Sequence, residues 1–446
     1  MLDLPALFSR IPSHILVASS AWIGRVVTAI AGLLSIRLLM QNLGTEKYAV
    51  YAVLGGVQGW FLLADMGIAS SLQNFISERR AHDHEYSDYI AAAGVFSLAM
   101  GLFFLLLLSM MVAPIAAAIL KGFPFLLATE KTRCFFMVAI VSIGTCVGSI
   151  AYRIWYAEQK GYLANILPAA ASLISLAGIM AVAKLSEENF LFWSLIAAFL
   201  PPAVLPMLVF ARQFMVSIRR QTPLKWVVLR LLIRRGLKFW GFAVMAAGVL
   251  QVDYLVMSQF LEPLQIVIYN FATKIYALVF FVYGALLSAI WPVCAEALSR
   301  NDWGMVRGYI RKYIAVGIVL ISISTALLVF FMPVMVKILA PHEQITIPVM
   351  FILLLGGYQV LRVWTDTFGM ALQSMSYLKP FWLYIPFQVI LNVLLQWALV
   401  PVLGVYGVVL GLIGSFAATA LWVLPFSFYK RMKHDSSGCS LPSGPL

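Results

Sequence analysis

Charged residues make up only 11% of this 446-residue chain, and acidic ones are the rarest, 18 against 31 lysines and arginines. A water-soluble domain cannot clothe its surface on that share. The four cysteines, Cys134, Cys146, Cys294 and Cys439, lie far apart with no CxxC or Cys/His spacing, so they read as packing residues rather than a metal or redox centre. The five histidines, His14, His82, His84, His342 and His434, fall in loops, helix ends and the tail. No HExxH, Walker loop or strand-linked Rossmann glycine pattern occurs, and no cofactor is implied. No stretch outside the apolar runs exceeds about 28 residues, so the sequence has no room for a soluble catalytic domain.

What the chain has is apolar length. Hydrophobic residues reach 62% and mean hydropathy is +0.94. Twelve runs of about 20 to 30 mostly apolar residues are expected at 14–40, 47–72, 89–113, 132–152, 162–183, 189–211, 238–261, 267–296, 310–337, 346–372, 380–402 and 405–429. Each can cross a hydrocarbon core of roughly 30 Å as a helix. Gaps such as Leu43-Gly44-Thr45, Lys121-Gly122-Phe123-Pro124 and Ala340-Pro341 carry the glycines and prolines that end helices. The first run follows a single cation, Arg10, and is about twice the length of a secretory h-region, so it reads as a retained helix.

Cations report the orientation. With the N-terminus inside, 21 of the 31 lysines and arginines fall on the cytoplasmic side, eight of them in the connection after the sixth helix, against six outside. The positive-inside rule therefore places both termini in the cytoplasm. The net charge of +13 follows from that asymmetry and from anionic head groups, which removes the case for nucleic-acid binding.

A repeat divides the chain in two. The stretch from Gln41 through Leu43 and Tyr51 to Glu78 matches Gln259, Leu261, Tyr269 and Glu296 at a constant offset of 218. Ala157, Gln159, Tyr162 and Leu163 recur as Ala371, Gln373, Tyr377 and Leu378, with one residue more in the spacer. Six helices per copy is an even number, so both copies enter the membrane with the same orientation, an arrangement that suits a transporter rocking two bundles about a cavity. The expected organisation is an all-α polytopic membrane protein: a six-helix bundle at 1–211, a basic cytoplasmic linker at 212–237, a second, parallel six-helix bundle at 238–429, and a disordered cytoplasmic tail at 430–446. A central cavity is expected between the bundles.

Ionisable residues within the apolar runs mark the candidate site, because an intramembrane charge is costly unless it pairs or meets a ligand. Arg25 lies near the middle of the first run, and its guanidinium fork matches phosphate oxygens. Its bland alternative is a structural partner for a buried acid. Lys274 lies about two turns into the eighth run, as a cavity cation or a snorkelling anchor. Arg362 and Asp366, four apart, share a helix face and can simply neutralise each other. Asp65 and Asp253 are the acidic counterparts, able to pair with Arg25 or Lys274 or to exchange a proton or sodium ion. Arg153 is a candidate for capturing a phosphate at the cytoplasmic surface; Arg37, Glu158, Lys160 and the Trp155-Tyr156 pair read as interface anchors.

The segments Arg37 to Ala52 (RLLMQNLGTEKYAVYA), Asp65 to Arg80 (DMGIASSLQNFISERR) and Leu391 to Gly411 (LNVLLQWALVPVLGVYGVVLG) give the chain a family likeness. It resembles the polysaccharide-transporter branch of the multidrug/oligosaccharidyl-lipid/polysaccharide exporters, and within it the O-antigen flippases of the Wzx type. The resemblance covers the chain in helix number and order, without a signature triad. It implies a non-enzymatic flippase in the bacterial inner membrane that moves an undecaprenyl-diphosphate-linked sugar repeat unit to the periplasmic leaflet. The partners it implies are that lipid-linked oligosaccharide, membrane lipids, a proton or sodium ion, and the O-antigen polymerase and chain-length regulator. Two other readings stay open at this stage. A drug or cation antiporter of the sister branch predicts an acid-dominated cavity. A polytopic O-antigen polymerase or ligase predicts a large external loop, whereas the longest here is about 18 residues.

Overall fold

The computed structural model describes residues 13–185, 189–219, 225–300, 302–375 and 377–436, and among them every regular element is helical. In chain order they are α1 (Ser13–Phe61), a 3-10 turn (Leu62–Asp65), α2 (Ile68–Ala81), α3 (Ser87–Ile119), α4 (Ala128–Gly148), α5 (Ile150–Ala157), α6 (Gly161–Leu185), α7 (Phe190–Arg219) and α8 (Trp226–Leu250). The series continues with α9 (Val252–Phe260), α10 (Pro263–Ser299), α11 (Trp303–Leu339), α12 (Val349–Ser374), α13 (Lys379–Leu403), α14 (Val405–Ala418) and α15 (Ala420–Ser436).

Eleven of the described helical stretches are long and apolar enough to cross a membrane, and the first of them, Ser19–Asp65, spans 47 residues. At a rise of about 1.5 Å per residue it is too long for one crossing. Gly44 divides it: φ 68° and ψ 176° interrupt the helix, leaving 13–43 and 45–61 as separate rods and twelve crossings in all among the described residues. The chain is a multi-pass membrane protein.

The duplication is visible in where helices restart. The rod after Gly44 begins at 45 and α10 at Pro263; α6 begins at Gly161 and α13 at Lys379; both pairs lie 218 residues apart. Tyr51 and Tyr269 therefore occupy equivalent turns of equivalent helices, whereas the second set of matches, offset by 214 to 215, does not: Tyr162 and Leu163 lie in α6 but Tyr377 and Leu378 precede α13.

Contacts partition the chain into two compact units, one running to Ala247 with Ile338–Glu343 added, the other comprising Gly248–Lys337 and the chain from Gln344. The segment expected to be a linker, 212–237, is helical to Arg219 and again from Trp226. Its second part belongs to the first unit because Val228, Leu229 and Leu232 are buried in one apolar cluster with Ile68, Leu72 and Ile76 of α2, Ile90 of α3, Ile154 of α5 and Phe210 of α7. At the other end, α15 continues as helix to Ser436, seven residues into the expected tail; 437–446 lie outside the described residues.

Ile338–Glu343 belongs to the first unit for a polar reason. The Glu343 carboxylate accepts the Thr45 backbone N–H at 3.3 Å and the Thr45 hydroxyl at 2.9 Å. A carboxylate at the start of the rod 45–61 satisfies orphan donors and complements the helix dipole. The loop following α11 thus clips the turn at Gly44.

A second break shapes the same unit. After the 3-10 turn, Met66 and Gly67 adopt left-handed conformations at φ 49° and 73°, and Asp65 spans the break by accepting the N–H groups of Gly67 at 2.9 Å and Ala69 at 3.2 Å. The Leu63 carbonyl, which accepts the Met66 N–H at 3.2 Å, also accepts the Trp240 indole N–H at 2.9 Å. The Cys146 thiol donates to the neighbouring Leu62 carbonyl at 3.2 Å. Cys134, Cys146 and Cys294 are buried and free, as packing residues should be.

Candidate functional site

In the first unit, Arg25 lies on the rod 13–43 and is exposed. Thr28 and Gly32 follow it at helical spacing and are exposed as well, and a Cβ placed on Gly32 meets nothing within 4 Å. The apolar exposed residues Ile23, Val26, Ile30 and Leu34, between 45% and 66% exposed, occupy a separate face. The rod therefore has two exposed stripes, one fit for acyl chains and one polar, and Arg25 belongs to the polar one.

Arg153, on α5, donates to the Gln73 side-chain carbonyl of α2 at 3.2 Å and is exposed. Nearby, Arg80 donates to the Ala157 carbonyl at 2.6 Å and Tyr86 to Glu158 at 3.1 Å, while Lys160 pairs with Glu158 at 2.8 Å. These contacts tie the α2–α3 and α5–α6 connections together. Asp65, as described above, bonds to backbone amides across the helix break.

In the second unit, Lys274 is exposed and makes no hydrogen bond, ion pair or ring contact among the described residues. Because α10 starts at Pro263, four residues before the expected run, Lys274 sits three turns into the helix, about 16 Å along its axis, rather than two. Arg362 and Asp366 realise the bland pairing, with Nη2 and Oδ2 2.9 Å apart, and the guanidinium also lies 4.2 Å from the centre of the Phe280 ring. Asp366 nevertheless borders a pocket of about 350 Å³ bounded by α10 and α12 to α15.

Asp253 does not pair with Lys274 among the described residues. It is 4% exposed at the start of α9, where it accepts the Tyr269 hydroxyl and, at 2.7 Å, the Gln396 amide. Gln396 also donates to the Asn392 side-chain carbonyl at 3.0 Å, and Asn392 donates to the Val249 carbonyl at 3.1 Å, which the break between α8 and α9 leaves without a helical partner. The carboxylate is therefore held by neutral donors only. Tyr269, Asn392 and Gln396 were not among the sequence candidates. The signal for the last two was the four-residue spacing of Gln388, Asn392 and Gln396 along the otherwise apolar α13, all at most 3% exposed. Among the described residues no three His, Cys, Asp or Glu side chains gather as metal ligands would.

No family model matches the chain. Over 423 residues it is 38% identical to a protein of Yersinia pseudotuberculosis named for O-antigen export, covering 94% of this chain and 96% of that one. Among solved structures, an inward-facing multidrug-resistance transporter of the MATE family, in the MOP superfamily, superimposes with a TM-score of 0.72 at 13% identity, over 93% of this chain and 96% of that one. The lipid II flippase MurJ in an inward closed conformation also gives 0.72, at 15% identity, over 93% and 90%. The fold is that of a MOP-superfamily transporter, built from two helical bundles. The chain belongs to the O-antigen exporter family, a family of transporters and not of enzymes.

Proposed function

We propose that this protein is a flippase carrying an undecaprenyl-diphosphate-linked O-antigen repeat unit from the cytoplasmic to the periplasmic leaflet of the bacterial inner membrane, with both termini in the cytoplasm. A diphosphate needs cations along its route, since hydrocarbon does not solvate it and an uncompensated ion is costly to bury. The observation that carries the reading is Lys274, an intramembrane ammonium without a protein partner among the described residues. Arg25 supports it from the polar stripe of the rod 13–43, and Arg153 is proposed to receive the diphosphate at the cytoplasmic surface. Arg362, engaged with Asp366, is proposed as an auxiliary contact. The naming of the Yersinia relative and the cation asymmetry point the same way. The sister-branch antiporter reading loses support because the buried acid, Asp253, is sealed among neutral donors.

The decisive experiment is deletion of the gene followed by leaflet-resolved labelling of lipid-linked repeat units. They should accumulate on the inner leaflet and return to normal when the wild-type chain is restored. Single repeat units on mature surface lipid would instead indicate a polymerase. Proposed partners after flipping are the O-antigen polymerase and chain-length regulator.

Asp253 is the proposed coupling residue for a proton or sodium ion, because a carboxyl group sealed from solvent and held by neutral donors is stabilised by no fixed cation. Asp253→Asn keeps the shape and removes the charge. Transport in vesicles should then lose its dependence on an imposed ion gradient; full retention of that dependence excludes Asp253 from coupling.

A further inference from the structure

The pocket beside Asp366 has the construction of a carbohydrate site. Gly284, Ser288 and Trp291 line it from one face of α10, and Asp366 and Gln373, seven residues apart, from one face of α12. Tyr384 of α13 adds a third wall. A pyranose presents hydroxyls around its edge and C–H bonds on its faces, so aromatic rings combined with planar amide and carboxylate groups match it on both counts. Those polar groups have capacity to spare. Asp366 uses only Oδ2, toward Arg362, while the Gln373 side-chain amide, the Trp291 indole N–H and the Tyr384 hydroxyl make no hydrogen bond among the described residues. At about 350 Å³ the pocket is within the size range of small-ligand sites.

Two further features fit. A Cβ built on Gly284 meets nothing within 4 Å, so the glycine leaves open volume where a side chain would intrude. Lys274 lies on the same helix, about 15 to 25 Å along its axis from Gly284, Ser288 and Trp291 and turned from them by roughly 40° to 100°. One cargo molecule can therefore place its anionic group and its sugars along α10.

We infer that this pocket is a sugar subsite of the second unit, which holds one pyranose of the repeat unit through Asp366 and Gln373 while Trp291 and Tyr384 cover its faces. The inference rests on the flippase reading above and adds the part of the protein that recognises the sugar rather than the diphosphate.

Two variants test it. Gly284→Leu puts a side chain into the pocket from a position whose Cβ meets nothing within 4 Å, and replaces glycine by a better helix former, so folding should not suffer. Gln373→Ala removes one amide at a half-buried position. Binding of the delipidated repeat-unit oligosaccharide to purified protein, read by saturation-transfer NMR, should weaken about tenfold or more in both, with export in a deletion strain falling in parallel. Gel filtration confirms that each variant is folded. Wild-type oligosaccharide affinity in both variants, or no binding by the wild type, overturns the subsite. Failure of the wild-type chain to restore export in the deletion strain overturns the flippase reading instead, so the two outcomes are separable.

Discussion

Lys274→Gln is expected to lower export of the lipid-linked repeat unit about ten- to a hundredfold, the range set by losing one or two hydrogen bonds to a charged group. Its effect on stability has the opposite sign. The ammonium has no partner among the described residues, so the fold gains nothing from its charge and carries the cost of placing it in an apolar helix. The melting temperature in detergent should stay the same or rise, and Lys274→Met should raise it more. A snorkelling anchor predicts the reverse, near-normal export with a loss of stability. Lys274→Arg keeps the charge but exchanges a compact ammonium for a planar fork, and should restore part of the activity. Initial export rates in a deletion strain, measured beside thermal unfolding of the same variants, separate the two roles.

Twelve crossings and their duplication were legible because both depend on patterns the chain carries openly. Apolar length defines the crossings, and the constant offset of 218 between Gln41–Glu78 and Gln259–Glu296 reappears as helix starts at 45 and Pro263. The Gly44 turn was legible for the same reason, since only a break could separate two apolar runs so close together. The partners of individual charges were not legible. Asp65 looked like a member of an ion pair, yet its carboxylate bonds to the amides of Gly67 and Ala69, because the helix breaks there and frees donors that no periodicity reveals. Asp253 finds Gln396 143 residues away, a pairing that requires α9 and α13 to be neighbours. Arg362 and Asp366 are four residues apart on one helix, and theirs was a charge pairing that spacing alone could supply. The pocket beside Asp366 was not legible either, because Trp291 and Gln373 look like ordinary interface residues until the helices bring them to one cavity.

Gly67→Ala is expected to be the most damaging single-methyl change in the first unit. The residue sits at φ 73°, a left-handed conformation that costs an alanine about 1 kcal/mol or more. Space is the larger obstacle. A Cβ there would lie 2.8 Å from the Trp240 backbone nitrogen and closer still to the Gly236 carbonyl oxygen, and backbone atoms cannot swing aside as a side chain can. Helix α8 would have to move off the break in the second crossing, breaking the 2.9 Å bond from Trp240 to Leu63 and exposing Val228, Leu229 and Leu232. The expected loss is about 3 kcal/mol or more, seen as a large fall in melting temperature and in the monodisperse fraction on gel filtration. Gly236→Ala, whose Cβ meets its nearest neighbour, the Met66 carbonyl oxygen, at 3.1 Å, should cost less, and Gly32→Ala, with open space around it, should cost nothing or stabilise the helix. That ordering distinguishes a tight backbone crossing from a general intolerance of alanine in these helices. Equal effects at the three positions would show that the contact between the α2 break and α8 does not hold the unit together.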